Sequence, residues 1–177
     1  TFHRYVSELQ KLVKDMRDEI VERNTEIDEG LFTATSDPRE RFVPPKTEEV
    51  PPFLNFAPIE NALAVLTRSA TRYQHAASKF QDAGTRSAQS VNGKLVLSER
   101  MLTSNEGLPN RPWFRHQMYA PGLYTGYGAK TIPAVREAIE QKKWRDAEEQ
   151  IVRVAKVLEN EASVVESAAA ELEKVVR

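Results

Sequence analysis

The chain has 177 residues, a formal net charge of −1 and no cysteine. That length suits one domain, 1–177, with a sizeable core. Near-neutral charge gives no general pull toward nucleic acid or an anionic membrane, and the lack of thiols excludes a disulfide framework and thiolate metal sites. No apolar run approaches the roughly 20 residues of a membrane span, so no membrane contact is expected of this piece. The sequence starts at Thr1 without methionine and enters a helical pattern at once, as a piece excised from a longer protein would.

The first segment sets Phe2, Tyr5, Val6, Leu9, Leu12, Val13, Met16 and Ile20 at steps of three and four. That spacing predicts one face of an amphipathic helix, fading after Ile27 and stopping at Gly30. Residues 31–55 read as an extended surface connector. Pro38, Pro44, Pro45, Pro51 and Pro52 forbid a regular helix there, and Phe32, Phe42, Val43, Phe53 and Leu54 are scattered anchors.

A second helix is predicted from near Ala57, with Pro58 in its first turn and Glu60 placed to favour the helix dipole. Ile59, Ala62, Leu63, Leu66, Ala70, Tyr73, Ala77 and Phe80 form its stripe, and Gly84 ends it. A third helix follows from about Ser87 to Thr103, with Ala88, Val91, Leu95, Ser98 and Leu102 inward and Val96 and Leu97 broadening the stripe. Asn92-Gly93 is a weak spot where that helix is expected to begin or bend. After Pro133 a short helix from Ala134 to Gln141 carries Val135, Ala138 and Ile139, and Lys142-Lys143 marks a joint. The last helix is the longest, with apolar residues stepping from Trp144 through Ile151, Leu158 and Leu172 to Val176. Two steps of four meet at Val154, Leu158 and Ala162, a stutter that locally unwinds a left-handed supercoil. These stripes cannot be buried singly, so the expected fold is all-α: a four-helix bundle with a short extra helix and a long Pro/Gly/aromatic loop.

That loop, residues 105–133, is the most informative stretch. It holds Pro109, Pro112, Pro121 and Pro133 and also Trp113, Phe114, Tyr119, Tyr124 and Tyr127. A loop both proline-fixed and aromatic is expected to be ordered and packed. Trp113, Phe114 and Tyr119 read as plugs pinning it to the bundle. Arg111 and Arg115 read as donors to loop carbonyls or helix ends, and His116 as a buried hydrogen-bonding residue.

Chemistry of other kinds finds no support. His3, His75 and His116 have no partner at the spacing of a helical ligand pair, and no Gly-x-Ser-x-Gly elbow is present. Gly126-Tyr127-Gly128 lacks the spacing of a dinucleotide loop. Lys and Arg residues are interleaved with acidic ones, as on a solvated surface rather than a nucleic-acid patch.

Gly107-Leu108-Pro109, then Arg111-Pro112-Trp113-Phe114-Arg115-His116, then Tyr119-Ala120-Pro121, with Tyr127 and Pro133 at matching distances, carry a resemblance. Together with Leu95 to Arg100 upstream, they resemble the C-terminal helical, or dimerisation, domain of the transferrin receptor and glutamate carboxypeptidase II family, the family of prostate-specific membrane antigen. The resemblance runs from about Tyr5 to the end and is specific between Leu95 and Pro133. It implies a domain that is not an enzyme on its own. Its partners would be a two-fold-related copy and the parent's own peptidase domain, and the zinc ions would belong to that separate domain, leaving this chain without a cofactor.

The resemblance also implies that Tyr119 to Thr131 lines the substrate pocket of the peptidase domain. Tyr127 stands where the family has a tyrosine contacting a substrate carboxylate. Gly126 stands where its neighbour is a lysine, and a glycine supplies no charge-assisted contact. Lys130 lies near enough in sequence to raise the question of a substitute. The departure leaves three readings: a different C-terminal residue in the substrate, another cation, or a parent that is no longer active. By resemblance the parent is a type II membrane protein with a luminal or extracellular catalytic portion. The alternative is a non-enzymatic receptor or adaptor of the transferrin receptor type, although the Arg-Gly-Asp tripeptide used there is absent. A freestanding helical bundle mediating protein contacts is the third reading.

Overall fold

The computed structural model describes residues 1–37, 39, 41–79, 85–126 and 128–175. Among the described residues six helices and one two-stranded ribbon follow in the order α1 (Phe2–Asp28), α2 (Leu31–Ala34), α3 (Ala57–Lys79), α4 (Thr85–Met101), β1 (Tyr119–Pro121), β2 (Ala129–Thr131), α5 (Pro133–Glu140) and α6 (Trp144–Val175). The mostly helical class follows the apolar periodicity. The ribbon and α2 do not, because elements of three and four residues are too short to show a period.

The bundle is built on α3 and α6. One core joins Val6, Leu9 and Val13 of α1 to Ile59, Ala62 and Leu63 of α3, Val135 and Ile139 of α5, and Ile151, Val154 and Leu158 of α6. A second joins Ala76 of α3, Val91 of α4 and Ala168 and Leu172 of α6. Helices α1 and α4 therefore flank the central pair toward different ends. The stutter residues Val154, Leu158 and Ala162 are all buried. Charged residues tie the helices outside the cores: Arg72 of α3 bonds both Glu166 and Glu173 of α6, and Gln10 of α1 donates to Glu60 of α3 at 2.8 Å.

Gly30 ends α1 in the left-handed region, φ +71°, as its position foretold. The connector is tied down more closely than a surface excursion requires. The Asn24 side chain pairs with the backbone of Glu48 in both directions, at 2.8 and 2.9 Å, and Lys142 donates to the Glu48 carboxylate at 3.0 Å. Arg17 covers the Phe53 ring at 3.7 Å, and Pro51 is fully buried.

Helix α4 runs unbroken from Thr85 to Met101 through Asn92-Gly93, so it does not begin late, after that site. A helical glycine removes no backbone bond, and no atom lies within 4 Å of where its Cβ would be, so the cost is entropic only. Val96 and Leu97 do not broaden the buried stripe; they are 71% and 43% exposed, because only one side of α4 meets α6. Pro38, Phe80, Gly84 and Val176 lie outside the described residues, as does the side chain of Ala88.

Candidate functional site: a ribbon clasped to the end of the bundle

After α4 the chain doubles back on itself. Ser104 N–H donates to Arg115 O at 2.9 Å, Leu108 N–H to Phe114 O at 2.8 Å, and Gln117 N–H to Leu102 O at 2.9 Å. Gly107 makes this possible. Its φ is +67°, and a Cβ there would stand 2.1 Å from the Pro112 carbonyl oxygen. Phe114 packs on a small core of Leu108, Ala120 and Ala134, so it does pin the loop.

Trp113 and Tyr119 are not plugs. Trp113 is 72% exposed and Tyr119 is 49% exposed. The tight turn around Gly107 points Phe114 inward, and its neighbour is left outside. The buried plugs are instead Leu108, Met118 and Ile132. Arg115 is exposed.

His116 is largely buried and accepts on Nδ1 from the backbone N–H groups of Met118 (3.2 Å) and Tyr119 (3.3 Å). The proton therefore sits on Nε2, which lies 3.2 Å from Glu99 Oε1. Tyr119 donates its hydroxyl to the same oxygen at 2.5 Å. Burial pushes the His116 pKa down against the opposing pull of Glu99. The bond to Glu99 raises that of Tyr119.

The ribbon follows. Tyr119 pairs with Thr131, Ala120 with Lys130 and Pro121 with Ala129, antiparallel. Pro121 is tolerated because a two-stranded ribbon has a free edge on each strand. Gly122 N–H donates to Gly128 O at 3.0 Å and closes the base of the tip. A Cβ at Gly122 would meet the Thr125 side chain, with Oγ1 at 2.1 Å, so that side chain would have to turn away. Gly126 has φ +63°, and Tyr124 is 80% exposed. Tyr127, the residue matched to the family's tyrosine, lies outside the described residues.

Helix α5 holds this ribbon with three side chains. Arg136 donates through Nη2 to Thr131 Oγ1 at 3.0 Å. Glu140 pairs with Lys130. Glu137, buried, accepts on Oε1 from Leu123 N–H at 2.8 Å and from Arg111 Nη2 at 3.0 Å. Arg111 is only 2% exposed. Its role is thus an ion pair with Glu137 rather than the predicted capping of carbonyls. Lys130 has its charge engaged by Glu140. Ile132, between β2 and α5, is fully buried at φ +45°, an unusual conformation for a β-branched residue. Its N–H donates to Met118 O at 2.9 Å, and its buried side chain holds the conformation in place.

The sequence reading missed Glu99, Arg136, Glu137 and Glu140. One signal was available for Glu137: it falls on the apolar stripe of α5 with Ala134 and Ala138, where a charge demands a partner. Among the described residues no group of three or more His, Asp or Glu side chains could hold a metal ion.

The model of the transferrin receptor-like dimerisation domain matches residues 54–166, which covers α3, α4, the loop, the ribbon, α5 and most of α6. The chain belongs to that family. Helix α1 and the connector before residue 54 lie outside the matched part of this dimerisation domain. Among curated relatives, a "Probable glutamate carboxypeptidase" of Arabidopsis thaliana is 34% identical over 46% of this chain and 13% of its own length. A protein of the same description from Arthroderma benhamiae is 38% identical over 38% of this chain and 9% of its own. A "Putative zinc metalloprotease" of Saccharomyces cerevisiae is 33% identical over 41% of this chain and 10% of its own length. The dimerisation domain thus corresponds to a small part of each of these proteins.

Proposed function

We propose that this domain serves a glutamate carboxypeptidase-like zinc peptidase in two ways. Its helices pack against a second copy in a homodimer, and its ribbon closes one side of the substrate pocket of the parent's catalytic domain. The chain is not an enzyme on its own. Zinc would be held by the catalytic domain; His3, His75 and His116 lie on α1, α3 and the loop and form no ligand set. The names of the relatives support a peptidase parent over a receptor. That the parent is a type II membrane protein with its catalytic portion luminal or extracellular is part of the same proposal and rests on the loop's family resemblance alone.

One observation carries the pocket reading. The loop is tied at many points and yet leaves Trp113 and Tyr124 72% and 80% exposed. Large rings are costly to leave in water, and a rigid loop that presents two of them fits a covering surface outside this chain. With glycine at 126 and Lys130 engaged by Glu140, the ribbon offers no free cation from either position, which favours a substrate whose C-terminal residue is read without that lysine.

The test uses the full-length parent. Replacing the ribbon tip 122–128 by a short flexible turn is expected to raise KM for peptide substrates while light scattering still reports a dimer. Unchanged KM and kcat would overturn the pocket role. A parent that is monomeric at all concentrations would overturn the homodimer.

A further inference from the structure

The three contacts by which α5 holds the ribbon are not alike. Those of Arg136 and Glu140 reach β2 near the surface. That of Glu137 is buried and goes to a backbone amide beyond β1: its Oε1 takes the Leu123 N–H at 2.8 Å and the Arg111 guanidinium at 3.0 Å. Side-chain exposure is 9% for Glu137 and 3% for Arg111. Among the described residues this is the one side-chain hydrogen bond that reaches the turn 122–126 from outside the ribbon.

Stability alone does not account for the pair as a whole. An apolar residue at 137 would continue the stripe of Ala134, Val135 and Ala138, and a buried ion pair is often no more stabilising than well-packed hydrophobic side chains. What the pair supplies is direction. Arg111 sits in the Gly107 turn and Leu123 in the tip, 26 and 14 residues from their common acceptor, Glu137 on α5. One carboxylate oxygen fixes all three relative to each other. The bond of an amide to a charged acceptor is stronger than one to a neutral group, and the low-dielectric surroundings strengthen it further.

We propose that Glu137 is the positioning residue of the ribbon: held by Arg111, it grips the Leu123 amide and sets the direction in which the turn 122–126 leaves the bundle. The consequence for a substrate pocket rests on the function proposed above; the grip itself does not.

The test is amide hydrogen exchange of this chain, read by NMR for the wild type, Glu137→Ala and Glu137→Gln. Glu137→Ala is expected to speed exchange at Leu123 by roughly tenfold or more beyond any change in α3 and α6, the effect of losing a hydrogen bond to a charged acceptor on top of the general cost of leaving Arg111 unpaired. Glu137→Gln keeps an oxygen that can accept the Leu123 N–H and is expected to restore most of the protection. Unchanged exchange at Leu123 in Glu137→Ala overturns the proposal, as does equal acceleration at Leu123 and in α3 and α6 in both variants. Should Glu137→Ala fail to fold, the wild type decides: Leu123 must be protected roughly tenfold more than Tyr124 and Thr125 in the same turn, and equal protection overturns the grip. These rates involve no peptidase domain. A protected Leu123 beside a ribbon replacement that leaves KM unchanged would sink the pocket reading and keep the positioning role; the reverse pair of results would do the opposite.

Discussion

His116 and Tyr119 are joined twice over: the imidazole Nδ1 accepts the Tyr119 backbone N–H at 3.3 Å, and the two rings lie 3.9 Å apart. Because Nδ1 is committed as an acceptor, a second proton on the ring would oppose two backbone donors at the start of β1. Burial already holds the His116 pKa below the ordinary histidine range. The unfolded chain then takes up the proton first, so this contribution to stability is complete above about pH 6.5 and is lost as pH falls through and below it. Urea midpoints measured downward from about pH 8 should decline more steeply for the wild type than for His116→Gln, which has no proton to gain there. Parallel profiles would show that His116 does not titrate against the fold.

Glu161 has the opposite sign. It lies on α6, buried, with Ser98 and Glu99 of α4 nearby, and desolvation raises its pKa against the hydrogen bond from Ser98. Its stability contribution is complete below the unfolded carboxylate pKa, about 4.3, and is lost as pH rises through the folded value. Glu161→Gln keeps an acceptor for Ser98 and removes the charge. Its urea midpoint should exceed that of the wild type at neutral pH and converge with it in acid. An equal or lower midpoint at neutral pH would contradict the burial argument.

Two glycines make a controlled pair. Gly107→Ala must place a methyl against the Pro112 carbonyl at positive φ, and should cost about 2 kcal/mol or more. Gly93→Ala meets open space inside α4 and should stabilise by roughly 0.5 to 1 kcal/mol. Thermal unfolding of both variants checks the signs. A tolerated alanine at 107 would mean that the turn can open without loss.

Trp113→Ala should change the stability of this chain by less than about 0.5 kcal/mol, since the ring is mostly in solvent. Leu158→Ala, in the main core with no exposure, should cost about 2 to 5 kcal/mol. Denaturant titration separates the two cases. A large loss at Trp113 would place its ring in a contact within this chain.

By itself the sequence determined the helical class, the starts of α3 and α6 and the stop at Gly30. Those features depend on near neighbours: an apolar step of three or four, a proline at a first turn, a glycine free to take positive φ. The tertiary structure alone decided which aromatic rings of the loop face inward. Phe114 and Trp113 are adjacent and equally apolar, and only the turn closed around Gly107 sends one into the Leu108–Ala134 core and the other out. It also decided the ribbon, whose strands are too short to carry a period, and the partners of Glu137, which approach from 26 and 14 residues away. Local pattern fixes which surfaces must be covered; the partner that covers them is set by chain closure over distances that no periodicity encodes.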